Sequence, residues 1–307
     1  MAATDIVSWA WMPIVVWAAF AQTIRNATQR SLVDEVGTLG ATLVRFLYGL
    51  PFAGVWVLLV LAFIAPQAQL PAVRLPYLLW LTLGALCQLG ATACLLVAMK
   101  QRNFIVGVAF SKTEVLQVGI FATLILQEVP TWLSGLAMVV STMGVVLLSL
   151  PRRLDGQVLR ASSGAAVFGL ASGALFALSS VGYRGAGLEL AGHTPWIIGG
   201  FNVLLAQAMQ SIALGTWLAW RQPETLVAIA RAWKLSLLAG MMGALASVGW
   251  LTALTLRPAV DVRTLGLVEV LFSYLVSRRM FREKITRNEL LGLLLVGAGV
   301  LVVSAQF

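Results

Sequence analysis

Charge is what this sequence has least of. Of its 307 residues, 11% are Asp, Glu, Lys or Arg, whereas a soluble domain carries roughly a quarter. That shortage excludes an ordinary water-soluble enzyme. It also excludes a disordered chain, which needs high charge and few apolar residues. Histidine occurs once and cysteine twice. His193 falls in a connector and reads as a solvated side chain. Cys87 and Cys94 lie seven residues apart in one apolar run, so they share a helical face and read as packing thiols. Two Cys and one His build neither a disulfide framework nor a metal set. The chain has no phosphate-binding glycine loop, dinucleotide fingerprint or Ser-His-Asp set, so neither a cofactor nor enzymatic activity is expected.

What fills the chain is apolar. AVILMFWYC residues make up 60% of it, and the mean hydropathy is +0.91. A membrane-crossing helix needs ~20 apolar residues, so the length accommodates about ten spans with short connectors. Apolar runs separated by polar or Pro/Gly breaks predict an all-α membrane protein with ten transmembrane helices at 9–28, 39–64, 76–99, 104–126, 131–150, 163–187, 196–220, 233–256, 259–279 and 288–305. The first run passes Ala19-Phe20-Ala21, which resembles a signal-peptidase site. Its leader carries Asp5 and no Lys or Arg, the reverse of a signal peptide, so the run reads as a retained helix.

The formal charge is +9 and the pI about 10.4. In a soluble protein that balance points to nucleic acid. Here the basic residues flank apolar runs, where they orient the chain, and no nucleic-acid partner is expected. Connectors on one side hold fifteen Lys and Arg; those on the other hold three, Arg74, Arg184 and Arg257. The bias puts both termini outside a bacterial-type plasma membrane and the basic connectors in the cytoplasm.

The chain also repeats itself. At an offset of 155, Glu114-Val115-Leu116 meets Glu269-Val270-Leu271, Glu128 meets Glu283, and Gly144 meets Gly299, with no gap over 40 residues. Ala18-Ala19-Phe20-Ala21 matches Ala174-Leu175-Phe176-Ala177 more weakly. The expected organisation is a first repeat over 1–150, a linker over 151–162 and a second repeat over 163–307. Five spans per repeat make the copies enter the membrane from opposite faces, the inverted-repeat construction of secondary transporters.

Two five-helix halves, each with a Glu along its fourth helix and a second Glu at that helix's end, resemble the drug/metabolite transporter superfamily, and within it the EamA-like ten-helix branch. The resemblance covers essentially the whole chain and is nearly silent on substrate. It implies a basket of helices 1–4 and 6–9 around a central cavity, with helices 5 and 10 outside. Many relatives keep their termini in the cytoplasm, and the Lys/Arg bias here departs from that.

Among the charged residues inside the predicted spans, six are candidates: Arg45, Lys112, Glu114, Asp261, Arg263 and Glu269. Each costs at least a few kcal/mol at mid-bilayer, so pairing or a wet interior is expected, and each is a functional candidate by default. Glu114 and Glu269 sit about ten residues into their spans, close to mid-bilayer. They are candidates for accepting a proton or a substrate amine; a salt bridge that only locks the halves together is the competing reading. Lys112, two residues from Glu114, points away from it on a continuous helix. Arg45 and Lys112 suit a substrate carboxylate or a protein one. Asp261 and Arg263 read as gating or interface-pairing groups, Arg263 also as part of the site. Trp17, Gln22, Tyr48, Gln88, Asn202, Gln207, Trp250 and Tyr274 are candidate neighbours, the aromatics by stacking on flat or amphipathic metabolites.

The expected function is secondary active transport of a small metabolite, such as an amino acid, by alternating access, with export the expected direction. Protons are the expected coupling ion and the bilayer the surrounding partner. A flippase for lipids or lipid-linked headgroups is the alternative. Monomer and homodimer both remain open.

Overall fold

The computed structural model describes residues 9–100, 110–149, 163–281 and 287–306. Among these the chain forms helices α1 (Trp11–Leu47), α2 (Leu50–Leu59, followed by a π-helical turn Val60–Ile64), α3 (Leu75–Lys100), α4 (Glu114–Leu126), α5 (Trp132–Ser149) and α6 (Ser163–Glu189). They continue with α7 (Pro195–Arg221), α8 (Pro223–Arg231), α9 (Trp233–Leu256), α10 (Ala259–Gly266), α11 (Val268–Phe281) and α12 (Arg287–Ser304). Among the described residues, six stretches are long and apolar enough to cross a membrane: Ser31–Ile64, Leu75–Leu95, Ala166–Glu189, Pro195–Arg221, Trp233–Leu256 and Arg287–Ser304. Glu114–Leu126 and Trp132–Leu148 are shorter apolar helices.

The chain clusters into two compact units, and each draws segments from both ends of the sequence. One holds 13–85 and 182–257; the other holds 1–12, 86–181 and 258–307.

In the first of these, α1 does not stop near residue 28 as expected. It runs on until Gly37, where φ 70° and ψ 173° turn the chain; glycine is the residue that takes positive φ without strain. The helix persists because the intervening residues keep an apolar face. Leu32 and Val36, one turn apart, are buried in a cluster with Leu43, Val44, Leu218 and Ile229. Gln29 Nε2 donates to the Ala41 carbonyl at 2.7 Å, pinning the two limbs of this bend. α7 starts with Pro195 in its first turn, where the missing N–H costs nothing. It packs on α2 and α9.

Two arginines assigned to connectors are buried here. Arg25 lies within α1 at 5% exposure. Arg184 lies in α6, and its Nη1 donates to the Leu254 and Thr255 carbonyls at 2.7 and 3.1 Å, satisfying the exposed carbonyl end of α9. Taking both out of the connector tally leaves fourteen against two, so the asymmetry persists.

In the second unit, α5 and α12 pack on each other with little side chain between them. A Cβ on Gly144 would lie 2.7 Å from the Gly292 carbonyl and 2.8 Å from the Val296 amide. A Cβ on Gly299 would lie 2.7 Å from the Ala137 carbonyl and against the Ser141 hydroxyl. Moving 137 and 141 by 155 positions gives 292 and 296, so the repeat-related glycines make the same contact in both directions. Close backbone approach through small residues is how helices associate in lipid.

The fourth and ninth predicted spans are discontinuous. Residues 112–113 form a turn and α4 begins at Glu114; α10 ends at Gly266 and α11 begins at Val268. Glu114 and Glu269 therefore each stand in the first turn of a helix, not ten residues along one. Glu283, the repeat partner of Glu128, lies outside the described residues.

Candidate functional site

Local chemistry explains the break before Glu114. Thr113 Oγ1 donates to the Phe110 carbonyl at 2.6 Å and accepts from Gln117 Nε2 at 2.9 Å. A hydroxyl that occupies a backbone carbonyl competes with the helical ladder. At the second break, the Leu267 amide reaches back only three residues to the Thr264 carbonyl, at 3.2 Å. A carboxylate in a first helical turn also interacts favourably with the free N–H groups there.

Across the unit, α10 packs on α4 and supplies the partner. Arg263 Nε lies 3.5 Å from Glu114 Oε1, with the two side chains 19% and 18% exposed. The same Nε donates to Ser180 Oγ on α6 at 2.8 Å, so one guanidinium ties α10 to two other helices. The pairing expected of Arg263 is with Glu114. Because 112–113 is a turn, the helical-wheel argument separating Lys112 from Glu114 does not apply; Lys112 is half-buried.

Two residues before Arg263, Asp261 is 7% exposed. Ser134 Oγ, in the first turn of α5, donates to Asp261 Oδ1 at 2.6 Å. Thr131 Oγ1 accepts from the Ser134 amide at 3.1 Å and donates to Gln306 Oε1 at 2.6 Å. Asp261 thus fastens α10 to the start of α5 while Arg263 fastens it to α4. Glu269 is half-buried on α11, and Tyr274 on the same helix donates to Glu289 Oε2 at 3.4 Å.

The other unit places most of the neutral candidates. Asn202 is fully buried on α7 and accepts from Tyr77 Oη at 2.9 Å. Trp250 is 6% exposed, and its Nε1 donates to Gln22 Oε1 at 3.0 Å. Tyr48 Oη reaches the Ile229 carbonyl at 3.5 Å. Gln207 is 3% exposed. Arg45 is half-buried, with its guanidinium carbon 5.1 Å above the Phe46 ring. Trp17 stands apart at 47% exposure beside Phe20, and Gln88 is half-buried.

Sequence reading missed Ser180, Tyr77, Gln210 and the burial of Arg25. Gln210 is 1% exposed and its Nε2 donates to the Ala85 carbonyl at 3.1 Å. A polar residue inside an apolar run was the available signal, but serine and tyrosine are too common in membrane helices for it to single these out. Among the described residues no group of three or more His, Cys, Asp or Glu is placed to hold a metal.

The model of the EamA-like transporter family matches residues 163–305. That stretch, a little under half of the chain, is similar to the family. The family falls within the drug/metabolite transporter superfamily, and its members are transporters rather than enzymes. With the long apolar helices, the match indicates a multi-pass membrane protein, part of which is similar to membrane transporters of the drug/metabolite type. A solved crystal structure, described only as that of a protein, is similar with a TM-score of 0.71 over 97% of this chain and 99% of that one, at 14% identity. At that identity the likeness concerns the fold alone. No curated protein matches the sequence.

Proposed function

We propose that this EamA-like protein is a proton-coupled secondary transporter. It exports a small amphipathic metabolite, such as an amino acid, across a bacterial plasma membrane by alternating access. The observation that carries this reading is the Glu114–Arg263 contact at a helix break. A break lets two helical pieces move against each other without losing a continuous hydrogen-bond ladder. A carboxylate–guanidinium contact across such a joint is held by charge. When Glu114 takes a proton that attraction is lost, and α10 is freed from α4. Arg263 then keeps its serine contact, and Glu114 can carry the proton or meet a substrate amine. Glu269, at the repeat-related position and also in a first helical turn, takes the corresponding part in the other half.

The proposed membrane layout is ten spans in two inverted repeats, with both termini outside. It is supported by the 155-residue offset, by the reciprocal packing of Gly144 and Gly299, and by the Lys/Arg asymmetry of the connectors.

The test is amino-acid counterflow in sealed proteoliposomes, measured from acidic to neutral pH for wild type, Glu114→Gln and Glu269→Gln. Wild-type counterflow should respond to an imposed pH gradient and Glu114→Gln should not. Counterflow that keeps its full rate and pH response in both variants would sink proton coupling through these residues. Scrambling of labelled lipid, with no counterflow of any water-soluble solute by a folded sample, would replace export with lipid flipping.

A further inference from the structure

We infer a carboxylate-binding site within the unit formed by 13–85 and 182–257, made by Arg25 and Arg45 together with the side-chain amide of Gln207. It makes the transported solute a carboxylate-bearing metabolite. Assigning the carboxylate to a transported solute rests on the proposed function; the site itself does not.

The bend at Gly37 folds α1 back along itself, and this brings two arginines far apart in sequence to one point on α9. A Cβ on Gly243 would lie 3.3 Å from Arg25 Cδ and 3.3 Å from Arg45 Cγ. Gly243 stands ten residues beyond Trp233, the first residue of α9. That is ~15 Å of helical rise, about half of a ~30 Å hydrocarbon layer. Ionisable groups at such depth are costly and are kept for a use. Two arginine stems meet there, and each carries a planar guanidinium whose donors match a carboxylate's oxygens. Arg25 is held in position by its neighbour: Nε and Nη2 donate to Asn26 Oδ1 at 3.2 and 2.7 Å.

Gln207 supplies an independent pointer. It is 3% exposed, and neither its Oε1 nor its Nε2 has a hydrogen-bond partner among the described residues. A buried primary amide is costly to leave unmet. Its position is set by a second close approach: a Cβ on Gly49 would lie 2.7 Å from Gln207 Oε1 and 2.7 Å from the Arg45 carbonyl. The amide therefore lies against the same turn of α1 that carries Arg45. From there Nε2 can donate to a carboxylate oxygen, and Oε1 can accept from an ammonium on the same solute. A small residue at 243 admits both arginine stems, and one at 49 admits the amide.

The experiment uses the purified full chain in detergent and matched probes with and without a carboxylate: benzoate against benzamide, and L-phenylalanine against L-phenylalaninamide. Thermal stabilisation and calorimetry report binding to the folded state. Each acid should stabilise wild type and its amide should not. Arg25→Gln and Arg45→Gln should each weaken binding of the acids tenfold or more, with partial recovery in Arg45→Lys. Gln207→Leu keeps the volume and both charges and should weaken binding at least threefold; it decides the matter if the arginine variants do not fold. Equal binding of acid and amide, no binding of either acid by folded wild type, or wild-type affinity in Gln207→Leu together with the folded arginine variants would overturn the site. Counterflow on the same preparations separates the two readings. Acids that bind without being exchanged leave the site and remove the transport assignment. Exchange of the amides with no competition from the acids removes the site and leaves transport.

Discussion

The two compact units of this protein treat polar groups inside apolar helices differently. The unit built from 86–181 and 258–307 relies on full charges at joints: Glu114 with Arg263, and Asp261 with the serine that starts α5. The unit built from 13–85 and 182–257 holds its helices with neutral side-chain hydrogen bonds, such as Tyr77 to Asn202, Trp250 to Gln22 and Gln210 to the Ala85 carbonyl, and with arginine donating to backbone, as Arg184 does to the end of α9. A neutral pair in a low-dielectric interior is indifferent to protons and holds helices in one arrangement. A carboxylate–guanidinium pair is conditional, because one proton removes half of it. The carboxylates of the charged contacts sit beside the breaks before Glu114 and after Gly266, and the neutral pairs sit in the unit that holds neither of those breaks. That division is the one expected if the first unit contains the moving joint and the second a fixed frame.

The largest expected effect tests whether the frame of the charged unit lies in its packing. Gly144→Leu forces a side chain into the α12 backbone and should cost about 3 kcal/mol or prevent folding. Gly135→Leu, where nothing lies within 4 Å of the added Cβ, should leave the melting temperature in detergent nearly unchanged. Equal effects would mean that α5 and α12 do not approach as described.

Next comes the conditional pair. Arg263→Leu leaves Glu114 facing an apolar side chain and should cost about 2 kcal/mol, below the range for a fully buried pair because both side chains are partly exposed. Glu114→Gln should cost less, since a neutral amide tolerates the site, yet it should lose the pH response of counterflow. If both variants are equally destabilised and both transport normally, the pair is structural.

The neutral frame should show a smaller effect that touches stability alone. Tyr77→Phe removes the donor to fully buried Asn202 and should cost about 1–2 kcal/mol. Its counterflow should keep the wild-type pH profile, and a shifted profile would erase the distinction between the units. The smallest effect is expected at Trp17. At 47% exposure beside Phe20, Trp17→Ala should change stability by under about 0.5 kcal/mol. A large loss of counterflow there would restore Trp17 to the site.

Much of the membrane character was legible because lipid imposes simple rules on composition. Apolar runs of the required length, basic residues at their ends and glycines at repeat-related positions can be read one residue at a time. The breaks before Glu114 and Glu269 were not legible. SKTEV is polar, but polar residues inside a span read as cavity-facing side chains as readily as a joint; GLVEV holds a single charge; and the first break depends on Thr113 choosing the Phe110 carbonyl. Arg25 fell inside the first predicted span, at 9–28, yet was counted with the connectors. The polar stretch after it resembled a connector, yet Leu32 and Val36 held it helical by packing against residues from α7 and α8.

Membrane residence, a repeated pattern and the charges in need of an explanation can all be read from the residues in order. Composition and spacing suffice for these, because the cost of polar groups in hydrocarbon does not depend on partners far along the chain. Which charges meet is a matter of packing. Arg263 reaches Glu114 across 149 positions, and Arg25 joins Arg45 only because Gly37 turns the helix back. Such pairings depend on how each helix is rotated about its axis. In helices apolar all round, periodicity leaves that rotation open, and side-chain packing settles it.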